Sequence, residues 1–235
     1  MDKNNDKIDL KFGIDLHIDD IEVLYKIKEA LQRGTVYSYP HKHQCRYVVQ
    51  KKNDIASILE PYFNEYPLRS TKYYDSIDFF KIAKLLIHEN NKVSKNSTVS
   101  NLIDNMNSRR TLEESIHKEH LEKTPVTLLW LLGFVEGEGT FGTINLKPYF
   151  QIGQHIRNEA LISAIEKFLS SLQPGYDSSS YSTERKSSIK TYRNFNKRSN
   201  VLVISVKSID QLHDILLPAM NKYPFQTRKN IDFQY

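Results

Sequence analysis

The sequence predicts an α/β (α+β) chain made of two pseudo-symmetric units, on three observations. Segments with strand alternation and segments with helical spacing follow one another in the order strand, helix, hairpin, helix, and do so twice. Pro61 and Pro218, Tyr66 and Tyr223, Pro67 and Pro224, and Lys72 and Lys229 each lie 157 residues apart. Phe12 and Phe150 lie 138 apart, so the second copy carries 19 extra residues. The second copy opens on a stretch, Trp130–Gly142, that starts as an apolar helix and ends in two glutamates spaced by single glycines. The units are expected at 1–110 and 124–235. A charged connector without apolar period, 111–123, joins them and holds His117 and His120 as ordinary polar residues.

In the first copy, Leu10–His17 alternates apolar and polar residues, as a half-buried strand does. Asp19 or Asp20 is expected to cap a helix over Ile21–Leu31, and Gly34 to end it. Val36–Tyr39 and Cys45–Val49 read as a hairpin around Pro40-His41-Lys42-His43. Helices are expected over Asp54–Phe63, Ile77–Leu86 and Val99–Met106. In the second copy, Thr124 is the expected N-cap and Pro125 the first residue of the glutamate helix. That helix is apolar nearly all round and is expected to be buried. Phe141–Leu146 and Tyr149–His155 read as a hairpin, and Leu161–Leu172 as an amphipathic helix. A polar arm over Gly175–Asn200, a strand over Val201–Val206 and a helix over Asp210–Met220 complete the copy.

Composition narrows the function classes. A net charge of +5 and a pI near 9.0 favour a polyanionic partner. A single cysteine, Cys45, excludes an internal disulfide and a multi-cysteine zinc site, and a hairpin tip accounts for His41, His43 and Cys45 together. No apolar run approaches the roughly 20 residues of a membrane span, so no membrane partner is expected. The abundance of Asn, Lys, Ile and Tyr fits an AT-rich organellar genome.

The helix end carries the chemistry. Gly133 and Gly137 share one face, where a second helix can approach with its backbone almost touching. Glu136 and Glu138 follow at the C-terminus, where the helix dipole disfavours anions, so a cation is expected nearby. Leu131-Leu132-Gly133-Phe134-Val135-Glu136-Gly137-Glu138-Gly139 resembles, position for position, the signature of the LAGLIDADG homing endonucleases and their splicing relatives, the intron-encoded maturases. Glutamate replaces aspartate at both acids.

The resemblance implies two αββαββα-type units, of which this chain lacks the first unit's helix and its following strand. It implies a site-specific, intron-encoded DNA endonuclease, impaired by the missing first motif, that makes Mg²⁺-dependent double-strand breaks. The alternatives are an RNA maturase that assists mRNA splicing of its host intron, and an inactive truncated relic. By the same resemblance, Glu138 is the metal ligand, Gln154 orders water, and Lys72 and Lys229 polarise it. A surface charge is the competing reading of each lysine. The equivalent of Gln154 in the first copy is Leu16, which cannot order water.

The expected partner is double-stranded DNA or intron RNA, gripped by Arg46 of the first hairpin and by Arg185, Lys186, Lys190, Tyr192, Arg193, Lys197 and Arg198 of the arm. The uncovered helix Trp130–Gly137 suggests a homodimer or a chain impaired alone. An organelle-encoded protein of the mitochondrial matrix is the implied location.

Overall fold

The computed structural model describes residues 8–88, 98–106, 110, 112–174 and 188–234. It divides into two units, Met1–Thr111 and Leu112–Tyr235, each with its own apolar core. In the first unit, alternation in Phe12–His17 makes strand β1. Helix α1 (Ile21–Leu31) follows, then the hairpin β2 (Thr35–Tyr39) and β3 (Gln44–Val49). The sheet order is β1-β3-β2, all antiparallel. Gly34 holds φ at +85°, and a Cβ there would lie 2.5 Å from the Tyr47 ring, whose hydroxyl donates to Arg33 O.

A helical run then passes through α2 (Lys52–Asp54), a π-turn over Ile55–Leu59 and α3 (Glu60–Glu65). Helix α4 (Lys72–His88) packs against α5 (Thr98–Asn105). Arg110 binds Asp75 and Asp78 of α4 and so fastens the end of this unit.

The second unit begins with α6 (Glu114–Lys123) and α7 (Leu128–Glu138). Strands β4 (Gly139–Ile144) and β5 (Lys147–His155) form a hairpin, and α8 (Glu159–Ser171) follows. Strands β6 (Tyr192–Asn196) and β7 (Val201–Val206) complete a sheet of order β4-β5-β7-β6. The chain ends through α9 (Ile209–Gln211), a π-turn over Leu212–Leu216, α10 (Leu217–Met220) and α11 (Lys229–Gln234).

The repeat holds down to single turns. Strands β1 and β5, and helices α1 and α8, correspond at the offset of 138; β2 and β6, β3 and β7, and the starts of α4 and α11 correspond at 157. Both π-turns immediately precede the residue before a proline, Pro61 or Pro218. A proline lacks the N–H for an i→i−4 bond and its ring crowds that carbonyl, so a widened turn accommodates it. Among the described residues the second sheet has one strand more than the first, β4, which continues from α7.

Three local expectations change. Asp20 stands at the N-cap position of α1, as expected, but makes no side-chain cap bond; the imidazole of His17 caps the 3-10 turn Ile18–Asp20 that leads into the helix, its Nδ1 accepting from Asp19 N at 3.3 Å, and His155 repeats this with Arg157 N at 3.3 Å. Thr124 does not begin α7. Pro125 forces its predecessor out of helical conformation, so Thr124 ends α6 with its hydroxyl donating to His120 O, and Thr127 caps α7. The segment 114–123, read as a connector, is a helix on α8 in the second unit, with His117, His120 and Leu121 buried.

Candidate metal and nucleic-acid site

Helix α7 is not buried all round. Leu131, Leu132 and Val135 enter the core, while Leu129 is 64% exposed and Gly133 and Gly137 are open to solvent, with no atom within 4 Å of an added Cβ. Trp130 and Phe134 stack at 4.8 Å beside this open face. The apolar residues cover more than the angle the core uses, and the surplus forms a flat seam of helix backbone.

The two glutamates have different surroundings. The Glu136 carboxylate accepts from Gln226 N, Thr227 N at 3.2 Å and the Thr227 hydroxyl. It ties the segment after Tyr223-Pro224 to the motif helix. Glu138 is exposed, and no hydrogen bond or ion pair to it is found among the described residues. Lys229, the first residue of α11, donates its Nζ to the carbonyl of Gly139. This is the cation expected at the end of the helix, and Thr227 links it to Glu136, since its hydroxyl also accepts from Lys229 N at 3.2 Å. Gly139 has no room for a side chain, because a Cβ would sit 2.6 Å from Val135 Cγ1 and 2.9 Å from Val135 O. The last glycine of the motif therefore lets the strand leave the helix tightly, and that fixes where Glu138 points from.

Gln154 lies at the same end of the β4–β5 pair as Glu138, two residues beyond Ile152, which pairs with Gly139. Its Oε1 accepts from Asn158 Nδ2 at 2.9 Å, which sets the amide's orientation. Lys72 opens α4 in the first unit, as Lys229 opens α11 in the second, and is exposed.

The basic residues fall into distinct settings. Lys197 and Arg198 occupy the exposed β6–β7 turn, where Asn196 Oδ1 accepts from Arg198 N at 3.0 Å. Lys190 sits over the Tyr192 ring at 5.8 Å. Arg193 is placed otherwise than the arm reading expects. It pairs with Ile204 on β7, on the helix side of the sheet, and binds Glu166, Glu159 and Ser163 of α8. Hydrogen bonding and charge from Glu166 push its pKa up. Its charge is thus matched inside the unit, a result of strand alternation that residue counting could not show. Arg46 forms a two-point pair with Asp15 across β1 and β3, which pushes its pKa up. Arg185 and Lys186 lie outside the described residues. Cys45 points into the core and donates to His17 O at 3.1 Å. Among the described residues no cluster of three or more His, Cys, Asp or Glu could hold a metal.

Comparison with known proteins fits this geometry. The profile of the LAGLIDADG endonuclease family matches residues 1–83 and 131–235. An uncharacterized mitochondrial protein RF1 of Saccharomyces cerevisiae is 28% identical over 245 residues, covering 99% of this chain and 49% of the relative. A probable intron-encoded endonuclease Cox1-I1b of Schizosaccharomyces pombe is 27% identical over 169 residues, covering 69% of this chain and 42% of the relative. The chain therefore spans about half the length of these relatives or less. Among solved structures, the meganuclease I-SmaMI bound to uncleavable DNA superposes with a TM-score of 0.77 at 18% identity, over 99% of this chain and 81% of that one. The same enzyme has been seen on uncleaved DNA with calcium ions. With the motif, the repeat and the profile in agreement over most of its length, the chain belongs to the LAGLIDADG endonuclease family.

Proposed function

We propose that this chain binds double-stranded DNA through its two sheets and cuts it as a Mg²⁺-dependent, intron-encoded endonuclease of mitochondria. The observation that carries this reading is the division of labour between the motif glutamates. Glu136 is occupied in holding the 224–229 segment, while Glu138, at the end of the same helix, presents a carboxylate with no partner among the described residues. A hard oxygen donor of this kind fits Mg²⁺, which takes one or two carboxylates and fills its remaining positions with water and substrate phosphate. When bound, Mg²⁺ supplies positive charge to the oxygens of the phosphodiester under attack.

The protein's own contributions are positional. Lys229 is held by the carbonyl of Gly139, the residue after Glu138, where it adds positive charge to the phosphate's surroundings. Gln154, oriented by Asn158, offers its amide NH₂ to a water at the same strand end. Lys72 takes the role of Lys229 in the first unit. The open face of α7, Leu129-Gly133-Gly137, takes a second helix of the same kind, supplied by a longer polypeptide or by a second copy of this chain. The mitochondrial setting rests on the RF1 relative, and the intron origin on the Cox1-I1b relative.

Binding is tested through the β6–β7 turn. Substituting Lys197 and Arg198 with alanine is expected to weaken duplex binding and flatten the plot of log K against log salt by about 0.9 per lost phosphate contact. Titrations at several salt concentrations measure this. An unchanged slope would remove the turn from the DNA interface, and a loss seen only with intron RNA would favour the maturase activity instead.

A further inference from the structure

The repeat allows the two sheets to be compared position by position on the face turned away from their helices. In the first sheet, the central cross-strand row is Asp15–Arg46–Tyr37. The equivalent row in the second sheet, at the offsets of 138 and 157, is Gly153–Val203–Asn194. Leu202, Ile204 and Val206 belong to the core, so Val201 and Val203 face the other way. A Cβ on Gly153 would touch both valines at 3.5 Å, which places all three on one surface. One fold thus presents a charged, hydrogen-bonding row in one unit and an uncharged, methyl-bearing row in the other.

The Asp15–Arg46 pair is arranged for more than stability. Its side chains are 54% and 41% exposed, and solvent-exposed ion pairs contribute little to folding. Asp15 takes the Nε–H and one Nη2–H of Arg46, the latter at 3.1 Å. Of the five guanidinium donors, the end-on pair from Nη1 and Nη2 remains available. That pair matches the O6 and N7 acceptors of guanine in the major groove. Asp15 also cancels the charge of Arg46, so the row does not act as a mere phosphate clamp. In the second sheet, Val201 and Val203 offer methyl groups to the C5-methyl of thymine, and the Asn194 amide matches the N6 and N7 edge of adenine.

We propose that Arg46, positioned by Asp15, specifies a G·C pair for the first unit, and that Val201, Val203 and Asn194 make the second unit read an A·T-rich stretch. This rests on the DNA-binding reading above and adds the sequence class of each half-site.

Selection of bound duplexes from a randomised library in Ca²⁺, with the full chain and its variants, tests it. The expected consensus has one half with an invariant G·C pair and another dominated by A·T. Arg46→Ala is expected to lower discrimination at that G·C pair by roughly tenfold to a hundredfold and leave other positions unchanged. Asp15→Asn is expected to relax the same position only. Half-sites of the same base class, or a loss in Arg46→Ala spread evenly over all sequences, would overturn these base assignments while leaving DNA binding intact. Enrichment of no duplex by the wild-type chain would overturn the underlying reading as well.

Discussion

Replacing Glu138 by glutamine is expected to lower Mg²⁺-dependent cleavage of duplex DNA by about three factors of ten or more, with duplex affinity preserved. The change removes one ligand charge and almost no volume. A metal that stabilises charge on the reacting phosphate is worth several kcal/mol, and each factor of ten in rate corresponds to about 1.4 kcal/mol. Glu138 makes no hydrogen bond among the described residues, so folding does not depend on it. Single-turnover cleavage beside equilibrium binding measures both quantities. Splicing assistance, if the chain has it, survives the same substitution, because it needs the fold and not the metal. Full cleavage by Glu138→Gln protein would remove Glu138 from the metal site.

Glu136→Ala is expected to act in the opposite way, through the fold. The Glu136 carboxylate accepts two backbone N–H groups and a hydroxyl from Gln226 and Thr227. Hydrogen bonds to a charged group contribute about 1.5–3 kcal/mol each, and part of that is recovered by water at a half-exposed site. A net loss of about 2–4 kcal/mol follows, read as a fall of roughly 6–20 °C in the melting of the second unit. Cleavage falls too, because Thr227 no longer holds the start of α11 where Lys229 reaches the Gly139 carbonyl. Glu136→Gln keeps one acceptor and is expected to lose less on both counts. If Glu136→Ala kept its melting temperature, the tether between the motif helix and the 224–229 segment would be disproved.

Much of this architecture was legible from spacing. The Tyr-Pro pairs fixed the repeat because a proline and an aromatic at constant offset report the same turn twice. The strands were legible because one face is buried, so alternation survives in Phe12–His17 and Val201–Val206. The motif singled out Glu138, and it also raised Glu136, whose structural role the hydrogen bonds now explain. What stayed hidden depends on three-dimensional pairing. Helix α6 buries His117 and His120 against α8, and buried imidazoles interrupt the apolar period by which helices are recognised. The caps at His17 and His155 carry no sequence signal, because an imidazole Nδ1 replaces the usual hydroxyl or carboxylate. Arg193 counted as a basic residue of the arm, but register turns it toward Glu166. The Asp15–Arg46 pair was readable in principle, since aligning the strands of the first sheet sets those residues opposite one another.

In the proposed function this fold brings Glu138 and a divalent metal to duplex DNA. Its most direct measurement is the fate of duplexes selected in Ca²⁺ from a random library, then transferred to Mg²⁺ or EDTA with the wild-type chain and with Glu138→Gln. The expected result is a double-strand break at one position in Mg²⁺, intact DNA in Ca²⁺ and EDTA, and intact DNA with the variant. Selected duplexes that remain whole in Mg²⁺, or that are cut equally in EDTA, would contradict it.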